Sequence, residues 1–171
     1  MHYRHAKHVG NMGDVLKHLL HVQLLNHLNN QSYPVIYLES HSGPGLFKLA
    51  DSSLAKYQNG IGKLWKHKND LNITFAPCLQ SYIEQIEALN TPSKSNPKLI
   101  LYPGSPALAQ TILNNNARLK LFELQAEIFD HLVKNTQHDT RVECFNACGF
   151  NGVLEQELDI NHTIFLLIDP P

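Results

Sequence analysis

The sequence has no run of about 18 consecutive apolar residues, the length that a helix needs to cross a bilayer. Its first eight residues carry charged and histidine side chains with no apolar stretch behind them, which is unlike a secretory signal. Only three cysteines are present, an odd number that suggests no disulfide framework. We therefore expect a protein of the reducing cytoplasm with no membrane association.

A strong excess of charge of one sign is also lacking, because the formal net charge is −1 at pH 7. This argues against a protein that coats long nucleic acids by electrostatics alone. Basic and histidine side chains are nevertheless concentrated near the N-terminus, against the single acid Asp14: His2, Arg4, His5, Lys7, His8, Lys17 and His18. Such a segment is either a solvated tail or a local patch that contacts phosphate groups.

Strand and helix patterns alternate along much of the chain. Helical spacing of apolar residues predicts an amphipathic helix over 14–29. Strands are predicted over 35–39, 98–102, 119–123, 141–145 and 163–169, and helices over 105–114, with Ser105 as N-cap, 126–134 and 150–157. This order predicts an α/β fold, a Rossmann-like domain with a parallel sheet. The nearly all-apolar strand 163–169 is expected at the centre of that sheet.

Residues 46–97 interrupt the alternation with short helical patterns, one of which starts at Pro77. We interpret this stretch as an inserted small helical subdomain. The Rossmann-like domain would then comprise residues 1–45 and 98–171.

Three acidic residues end predicted strands: Glu39, Glu123 and Asp169. The carboxyl ends of strands line the ligand crevice of a doubly wound sheet, so these side chains are expected to converge on one pocket. Glu123 suits a hydrogen bond to ribose hydroxyl groups, although an exposed carboxylate at a strand end is the alternative. Gly43 and Gly45 lie in a turn directly after Glu39, where the backbone can approach a ligand closely, although a purely structural turn is the alternative.

The sequence Asp169-Pro170-Pro171 follows an apolar strand. Two prolines end the ladder and fix the chain direction, so the Asp169 carboxylate and a proline carbonyl become two rigid acceptors. An aromatic amine is a poor nucleophile because its lone pair is delocalised into the ring. Two acceptors on its N–H bonds favour a pyramidal nitrogen and aim the lone pair at an electrophilic methyl group.

An ordered set of motifs resembles the bacterial RlmJ family of 23S ribosomal RNA adenine-N6 methyltransferases. The motifs are Tyr3-Arg4-His5, His8-x-Gly10-Asn11-x-x-Asp14-Val15-Leu16-Lys17-His18, Tyr37-Leu38-x-x-His41-x-Gly43-x-Gly45, Tyr102-Pro103-Gly104-Ser105-Pro106, Glu123-Leu124 and Ile168-Asp169-Pro170-Pro171. They span the whole chain, and the stretch 46–97 is similar to the family's helical insertion. The resemblance implies the S-adenosylmethionine-dependent methyltransferase fold, a monomer, and 23S ribosomal RNA as substrate.

The resemblance also implies residue roles. S-adenosylmethionine would be surrounded by Lys17, His18, His41, Ser105 and Glu123, with Glu123 on the ribose. The predicted cofactor site also includes the residues of the first strand end and glycine turn, and the pair at the family's Asp-Gly position: Glu39, Gly43, Gly45, Cys148 and Gly149. Asp169, helped by the Pro170 carbonyl, would be the catalytic residue that engages the adenine amine. Tyr3, with Arg4 and His5, would contact the RNA.

Two features depart from the family pattern. Cys148-Gly149 stands where the family usually has Asp-Gly, whose Asp contacts the cofactor's adenine, and a thiol is a weaker hydrogen-bond partner. The motif also ends at Pro171, before the aromatic residue expected to stack on the flipped base. We therefore expect 171 residues to be a fragment that lacks C-terminal strands, leaves the Asp169 strand with an unpaired apolar edge and does not catalyse by itself.

Three other functions are compatible with parts of the sequence. A zinc site could use His18 and His21 with His2, His5 and His8, but no Cys pair has zinc-finger spacing and we expect no metal, with the helix histidines serving as polar surface or ligand contacts. A DNA-handling protein, which methylates DNA adenine or helps to use external DNA as a nutrient, is the main alternative. A nicotinamide-dinucleotide enzyme would share the glycine turn but would not explain Asp-Pro-Pro.

Overall fold

The computed structural model describes residues 9–49, 55–90, 98–159 and 161–170. The helices and strands in chain order are α1 Met12–Asn29, β1 Val35–Glu39, β2 Leu46–Lys48, α2 Ala55–Gln58, α3 Ile61–His67, α4 Pro77–Asn90, β3 Leu101–Pro103, α5 Ser105–Ile112, β4 Arg118–Phe122, α6 Ala126–Thr136, β5 Val142–Phe145, α7 Gly149–Leu154 and β6 Thr163–Leu167. None of the described helices combines the length and apolar character required to cross a membrane.

The chain divides into two compact units. The first contains the described residues of Met1–Gln23 and Phe47–Pro103, and the second those of Leu24–Leu46 and Gly104–Pro171. Most of the predicted subdomain, 46–97, falls in the first unit, together with the start of α1 and with β3. The division at residues 45 and 98 stays a prediction.

The second unit is built on a parallel sheet of four described strands in the order β5-β4-β1-β6. β1 is one of the two inner strands, and all five of its residues are buried. It pairs with β4 through Glu39 and Leu121 and with β6 through Glu39 and Leu167. Helices alternate with these strands along the chain, so the predicted α/β fold with a parallel sheet is confirmed.

The apolar strand near the C-terminus lies at an edge of the described sheet, which agrees with the unpaired apolar edge expected for it and differs from the central position expected for a complete sheet. β6 lies at one edge and pairs with β1, and its side chains are alternately half-buried and exposed. Ile164 and Leu166 are 41% and 42% exposed. A continuous apolar run is typical of a buried strand, but the run alone does not distinguish a central strand from an apolar edge strand.

α1 begins with a polar cap. The Asp14 amide donates to Asn11 Oδ1 over 3.0 Å, and the Gly10 amide donates to Asp14 Oδ2 over 2.8 Å. These bonds satisfy amide groups that have no partner inside the helix. Val15 and Val22 are buried as the helical spacing predicts, while an opposite row is exposed: Met12, Leu16, Leu20 and Leu24. The helix is therefore apolar on two faces, which the amphipathic prediction did not anticipate.

β3 belongs to a different sheet from the one predicted. It pairs with β2 in a two-stranded sheet rather than joining the four-stranded one. The Asn90 side chain at the end of α4 fixes its start, because Oδ1 accepts from the amides of Ile100 and Leu101, both over 2.9 Å. A short extended stretch between two loops does not reveal its pairing partner, which explains the error.

Candidate functional site

The candidate site lies at the carboxyl edge of the parallel sheet. Glu39 is the last residue of β1, Glu123 directly follows β4, and Asp169 follows β6 by two residues. Backbone hydrogen bonds join the turn after β1 to both neighbouring strand ends. The Ser40 amide donates to the Leu167 carbonyl over 3.1 Å, and the Ser42 amide donates to the Phe122 carbonyl over 2.9 Å. The segments that carry the three acidic residues therefore meet at one edge.

The turn that follows β1, residues 40–45, requires glycine at two positions. Gly43 and Gly45 have φ angles of +60° and +73°, which L side chains adopt only at a cost. The Gly43 amide donates to Glu123 Oε2 over 3.1 Å, and the Gly45 carbonyl accepts from the Gly104 amide over 2.8 Å. The turn is thereby fixed on one side to the end of β4 and on the other to the start of α5.

Glu39 is a buried carboxylate, only 1% exposed, that other residues of the site stabilise. The Tyr37 hydroxyl donates to its Oε2 over 2.8 Å, and the Ser105 hydroxyl donates to its Oε1. Burial, and then the charge of Glu39, raise the pKa of the Tyr37 hydroxyl well above its ordinary value, so this phenol stays a donor. Tyr37 was not a predicted site residue, although its spacing of two from Glu39 in a strand indicates a shared face.

The predicted role of Ser105 as an N-cap is wrong by one position. Gly104 is the N-cap of α5, in extended conformation with φ −80° and ψ 175°, and Ser105 and Pro106 are the first two helical residues. The Ser105 hydroxyl is therefore available to Glu39 and does not cap its own helix.

Glu123 is 9% exposed and accepts two backbone hydrogen bonds. Its Oε2 accepts from Gly43, and its Oε1 accepts from the Gln125 amide over 2.8 Å. A carboxylate offers about four lone pairs. Glu123 can thus hold the glycine turn in place and still accept hydrogen bonds from a ligand's hydroxyl groups.

The Cys148-Gly149 pair begins α7 and packs against the glycine turn. Any Cβ on Gly149 would overlap the Ser40 carbonyl oxygen, so only glycine allows this approach. Cys148 is the N-cap, but its side chain makes no capping hydrogen bond. The thiol is half-buried at a position where a carboxylate would cap the helix and offer an acceptor.

His41 lies between Ser40 and α7. Its Nδ1 is 2.8 Å from the Ser40 hydroxyl oxygen, and its ring meets that of Phe150 edge to face at 4.9 Å and 70°. Phe150 is 50% exposed, and the sequence analysis did not select it. Its position directly after Cys148-Gly149 is the signal that could have indicated it.

Asp169 is half-buried and Pro170 is exposed. The alternation of half-buried and exposed side chains that begins in β6 continues to these residues, so Asp169 is half-buried like Phe165 and Leu167. Phe165 stacks on Tyr37 with ring centroids 5.5 Å apart, and Leu167 is the register partner of Glu39. Because alternate residues of an extended chain share a face, Asp169 belongs to the face of the sheet that carries Tyr37 and Glu39.

Lys17 and His18, predicted by resemblance, belong to the first unit. Lys17 Nζ lies 3.4 Å from Asp14 Oδ1. His18 is 2% exposed, and burial, followed by the charge of Lys17, lowers its pKa well below the ordinary value. His21 is 3% exposed, and burial lowers its pKa to about 3. Neither histidine is a polar surface residue, because α1 presents both to the core.

The remaining predicted residues lie outside the described part of the chain. These are the three proposed RNA contacts: Tyr3, Arg4 and His5. His2 and His8, two members of the rival zinc set, lie there as well. Among the described residues, no group of three or more His, Cys, Asp or Glu side chains could hold a metal ion.

Comparisons with known proteins agree on one family. The model of the family described as Ribosomal RNA large subunit methyltransferase D, RlmJ, matches residues 32–171. The chain belongs to this family. The family match includes the acidic strand ends and the glycine turn, whereas Lys17 and His18 precede its first residue.

Two relatives of the family carry the name Ribosomal RNA large subunit methyltransferase J. That of Escherichia coli strain K12 is 31% identical and that of Haemophilus influenzae strain KW20 is 34% identical, each over 99% of this chain and 58% of the relative. The crystal structure of protein LPL1258 from Legionella pneumophila has a TM-score of 0.83 and 29% identity, over 95% of this chain and 58% of that one. The chain therefore spans 58% of the length of these relatives.

Proposed function

We propose that the protein transfers a methyl group from S-adenosylmethionine to the exocyclic N6 amine of an adenine in 23S ribosomal RNA. Family membership and the names of the two relatives support this proposal. One observation carries the proposal: the segments that follow β4, β1 and β6 lie at the same edge of the sheet. These segments contain Glu123, the glycine turn and Asp169, respectively. We further propose that it acts in the cytoplasm as a monomer.

The chemistry of the described residues fits S-adenosylmethionine, which when bound supplies an electrophilic methyl group. Glu123 would accept hydrogen bonds from the ribose hydroxyls with the lone pairs that the backbone leaves unused. The glycine turn would allow close approach of the backbone. His41, Ser105, Cys148 and Gly149 flank this turn, and the family resemblance adds Lys17 and His18 to the set. Glu39 would support the site indirectly, since its carboxylate already accepts hydrogen bonds from Tyr37 and Ser105.

Asp169 and Pro170 would position the target amine. The Asp169 carboxylate and the Pro170 carbonyl are acceptors, and the two N–H bonds of an adenine amine are donors. Accepting both bonds would direct the nitrogen lone pair away from the ring and toward the methyl group. The reaction then needs orientation and electrostatic stabilisation and no strong base. Tyr3, Arg4 and His5 would contact the RNA backbone and the target nucleotide.

Transfer of radiolabelled methyl groups tests the proposal, with protein expressed from the complete gene. Label is expected in 23S ribosomal RNA and not in duplex DNA. Asp169→Asn is expected to lower the rate at least about 100-fold, because a neutral amide oxygen accepts more weakly than a carboxylate and the amide NH2 group cannot accept from the amine at all. Asp130→Asn, an exposed position on α6, is the matched control and should leave the rate unchanged.

Calorimetry separates the cofactor site from the reaction step. Glu123→Ala is expected to weaken S-adenosylmethionine binding at least about tenfold, while Asp169→Asn retains binding. Label in duplex DNA alone would favour the DNA-handling alternative. Label in neither nucleic acid, with normal cofactor binding, would contradict the proposed substrate.

A further inference from the structure

Three aromatic side chains of the first unit form a buried hydrogen-bonded chain. The Tyr82 hydroxyl on α4 is 2.9 Å from the Tyr102 hydroxyl on β3, which is 3.0 Å from Nδ1 of His18 on α1. Tyr82 and Tyr102 are both 0% exposed. The His18 ring also stacks on Tyr102, with centroids 5.4 Å apart, and meets Tyr82 edge to face at 6.3 Å. Three separate elements thus fix the orientation of one imidazole ring.

The protonation states of the three groups follow from their burial. Burial raises the pKa of the Tyr82 and Tyr102 hydroxyls above the ordinary value and lowers the pKa of His18 well below it. All three groups are therefore neutral near pH 7. Each phenol carries one proton, and the imidazole carries one proton on either Nδ1 or Nε2.

The direction of the hydrogen bonds follows from the need of each buried donor for an acceptor. Tyr102 is the hydrogen-bond partner of the Tyr82 hydroxyl among the described residues, so Tyr82 donates its proton to the Tyr102 oxygen. Tyr102 then directs its own proton to His18 Nδ1. The reverse direction would leave the proton of the fully buried Tyr82 hydroxyl without an acceptor in the described part of the chain, which is costly.

We propose that Tyr102 and Tyr82 are positioning residues that hold His18 as the tautomer with its proton on Nε2. His18 then presents a fixed N–H donor at Nε2. Such a donor binds an oxygen or ring-nitrogen acceptor and rejects an ammonium group. The consequence for S-adenosylmethionine rests on the proposed function, whereas the tautomer itself does not. Tyr102 belongs to the motif Tyr102-Pro103-Gly104-Ser105-Pro106, so this role also explains the tyrosine of that motif.

Nitrogen-15 NMR of the imidazole rings measures the tautomer directly. His18 is one of 11 histidines, and its signals are assigned by their loss in His18→Gln. In the unaltered protein Nδ1 of His18 is expected to resonate as an unprotonated nitrogen and Nε2 as a protonated one. A protonated Nδ1 would overturn the proposal without any variant.

Tyrosine-to-phenylalanine variants keep the rings and remove single hydroxyls. Tyr102→Phe should move the two His18 signals toward each other, because both tautomers become populated. Tyr82→Phe should give a smaller change in the same direction, because Tyr102 can still donate. Tyr33→Phe, at a side chain that is 63% exposed, is the control and should change neither signal. An unchanged spectrum in folded Tyr102→Phe would overturn the proposal.

Calorimetry with S-adenosylmethionine separates the two proposals. Tyr102→Phe is expected to weaken binding about fivefold, as expected for one neutral hydrogen bond. If the unaltered protein shows the Nε2–H tautomer but binds no S-adenosylmethionine, the proposed function is wrong and the positioning role stands. If it binds normally but carries the proton on Nδ1, the positioning role alone is wrong.

Discussion

The Ser105 hydroxyl donates a hydrogen bond to the buried carboxylate of Glu39, which joins the first turn of α5 to the end of β1. These residues are 66 positions apart in the sequence. The bond helps to stabilise a charge that has almost no contact with water. It also places the start of α5 beside the glycine turn, whose Gly45 carbonyl accepts from the Gly104 amide.

Removing this hydroxyl should destabilise the protein. Ser105→Ala is expected to lower the free energy of unfolding by about 1–3 kcal/mol, because a buried carboxylate loses a donor. Urea-induced unfolding measures the change. Thr111→Ala is the matched control on α5, since the exposed Thr111 hydroxyl donates to carbonyls of its own helix, and it should cost clearly less. Equal costs for the two variants would show that the bond to Glu39 contributes little.

Two glycines of the site should respond differently to alanine. Gly149→Ala is expected to lower the free energy of unfolding by roughly 3 kcal/mol or more, because the new Cβ would overlap the Ser40 carbonyl. Gly43→Ala should cost only about 1 kcal/mol, because its φ of +60° is strained but no atom lies within 4 Å of the new Cβ. Thermal unfolding compares the two. A larger loss at Gly43 would contradict the packing described for α7.

Restoring the usual family residue at Cys148 should improve both stability and binding. Cys148→Asp is expected to raise the free energy of unfolding by about 1 kcal/mol, because a carboxylate at the N-cap accepts from an amide of α7. Tighter binding of S-adenosylmethionine should accompany it and can be measured by calorimetry. Cys148→Ala, which provides no cap, separates removal of the thiol from gain of the carboxylate. If alanine and aspartate give the same stability, the capping argument is wrong.

Stability should fall on mild acidification because His18 and His21 are neutral when folded. Burial lowers both pKa values, that of His21 to about 3, so below the ordinary value near 6.5 the unfolded chain binds protons that the folded protein does not. Each histidine should then reduce the free energy of unfolding by about 1.4 kcal/mol per pH unit as pH falls from 6.5 toward the folded value. Urea unfolding at about pH 7.5, 6.5 and 5.5 measures this slope.

Variants assign the acid sensitivity. His21→Leu should reduce the pH dependence of the free energy of unfolding by the contribution of one histidine, because the titrating ring is removed. His131→Gln, at an exposed position on α6, should leave the slope unchanged. If His21→Leu keeps the full slope, the loss of stability on acidification comes from other groups.

Local sequence patterns predicted most elements of the fold. The helices α1, α4 and α6 and the strands β1, β4 and β5 lie within a few residues of their predicted positions, because apolar periodicity reports burial directly. Pairing partners were less accessible. The pairing of β3 with β2 was not predicted, because the choice of a partner strand depends on residues far away in the sequence.

The candidate site could be predicted in outline from the strand ends. Glu39 and Glu123 were selected because acidic residues at the ends of parallel strands meet at one edge. The partners of those carboxylates were missed, since the bonds from Tyr37 and Ser105 to Glu39 depend on the placement of α5. The burial of His18 was missed for a similar reason. A histidine on a helix suggests an exposed side chain. The burial of the His18 ring is evident only once Tyr82 and Tyr102 are placed beside it.

The pairing of β1 has a consequence for the order in which the sheet can assemble during synthesis. Its two partners in the described sheet, β4 and β6, begin at Arg118 and Thr163. The ribosome therefore synthesises β1 long before either strand that pairs with its edges. Translation adds about 5–20 residues per second, which leaves this buried apolar strand without its partners for several seconds. Long-range parallel pairing is also intrinsically slow. The interval before β4 emerges is therefore the period in which the nascent chain most needs protection by a chaperone.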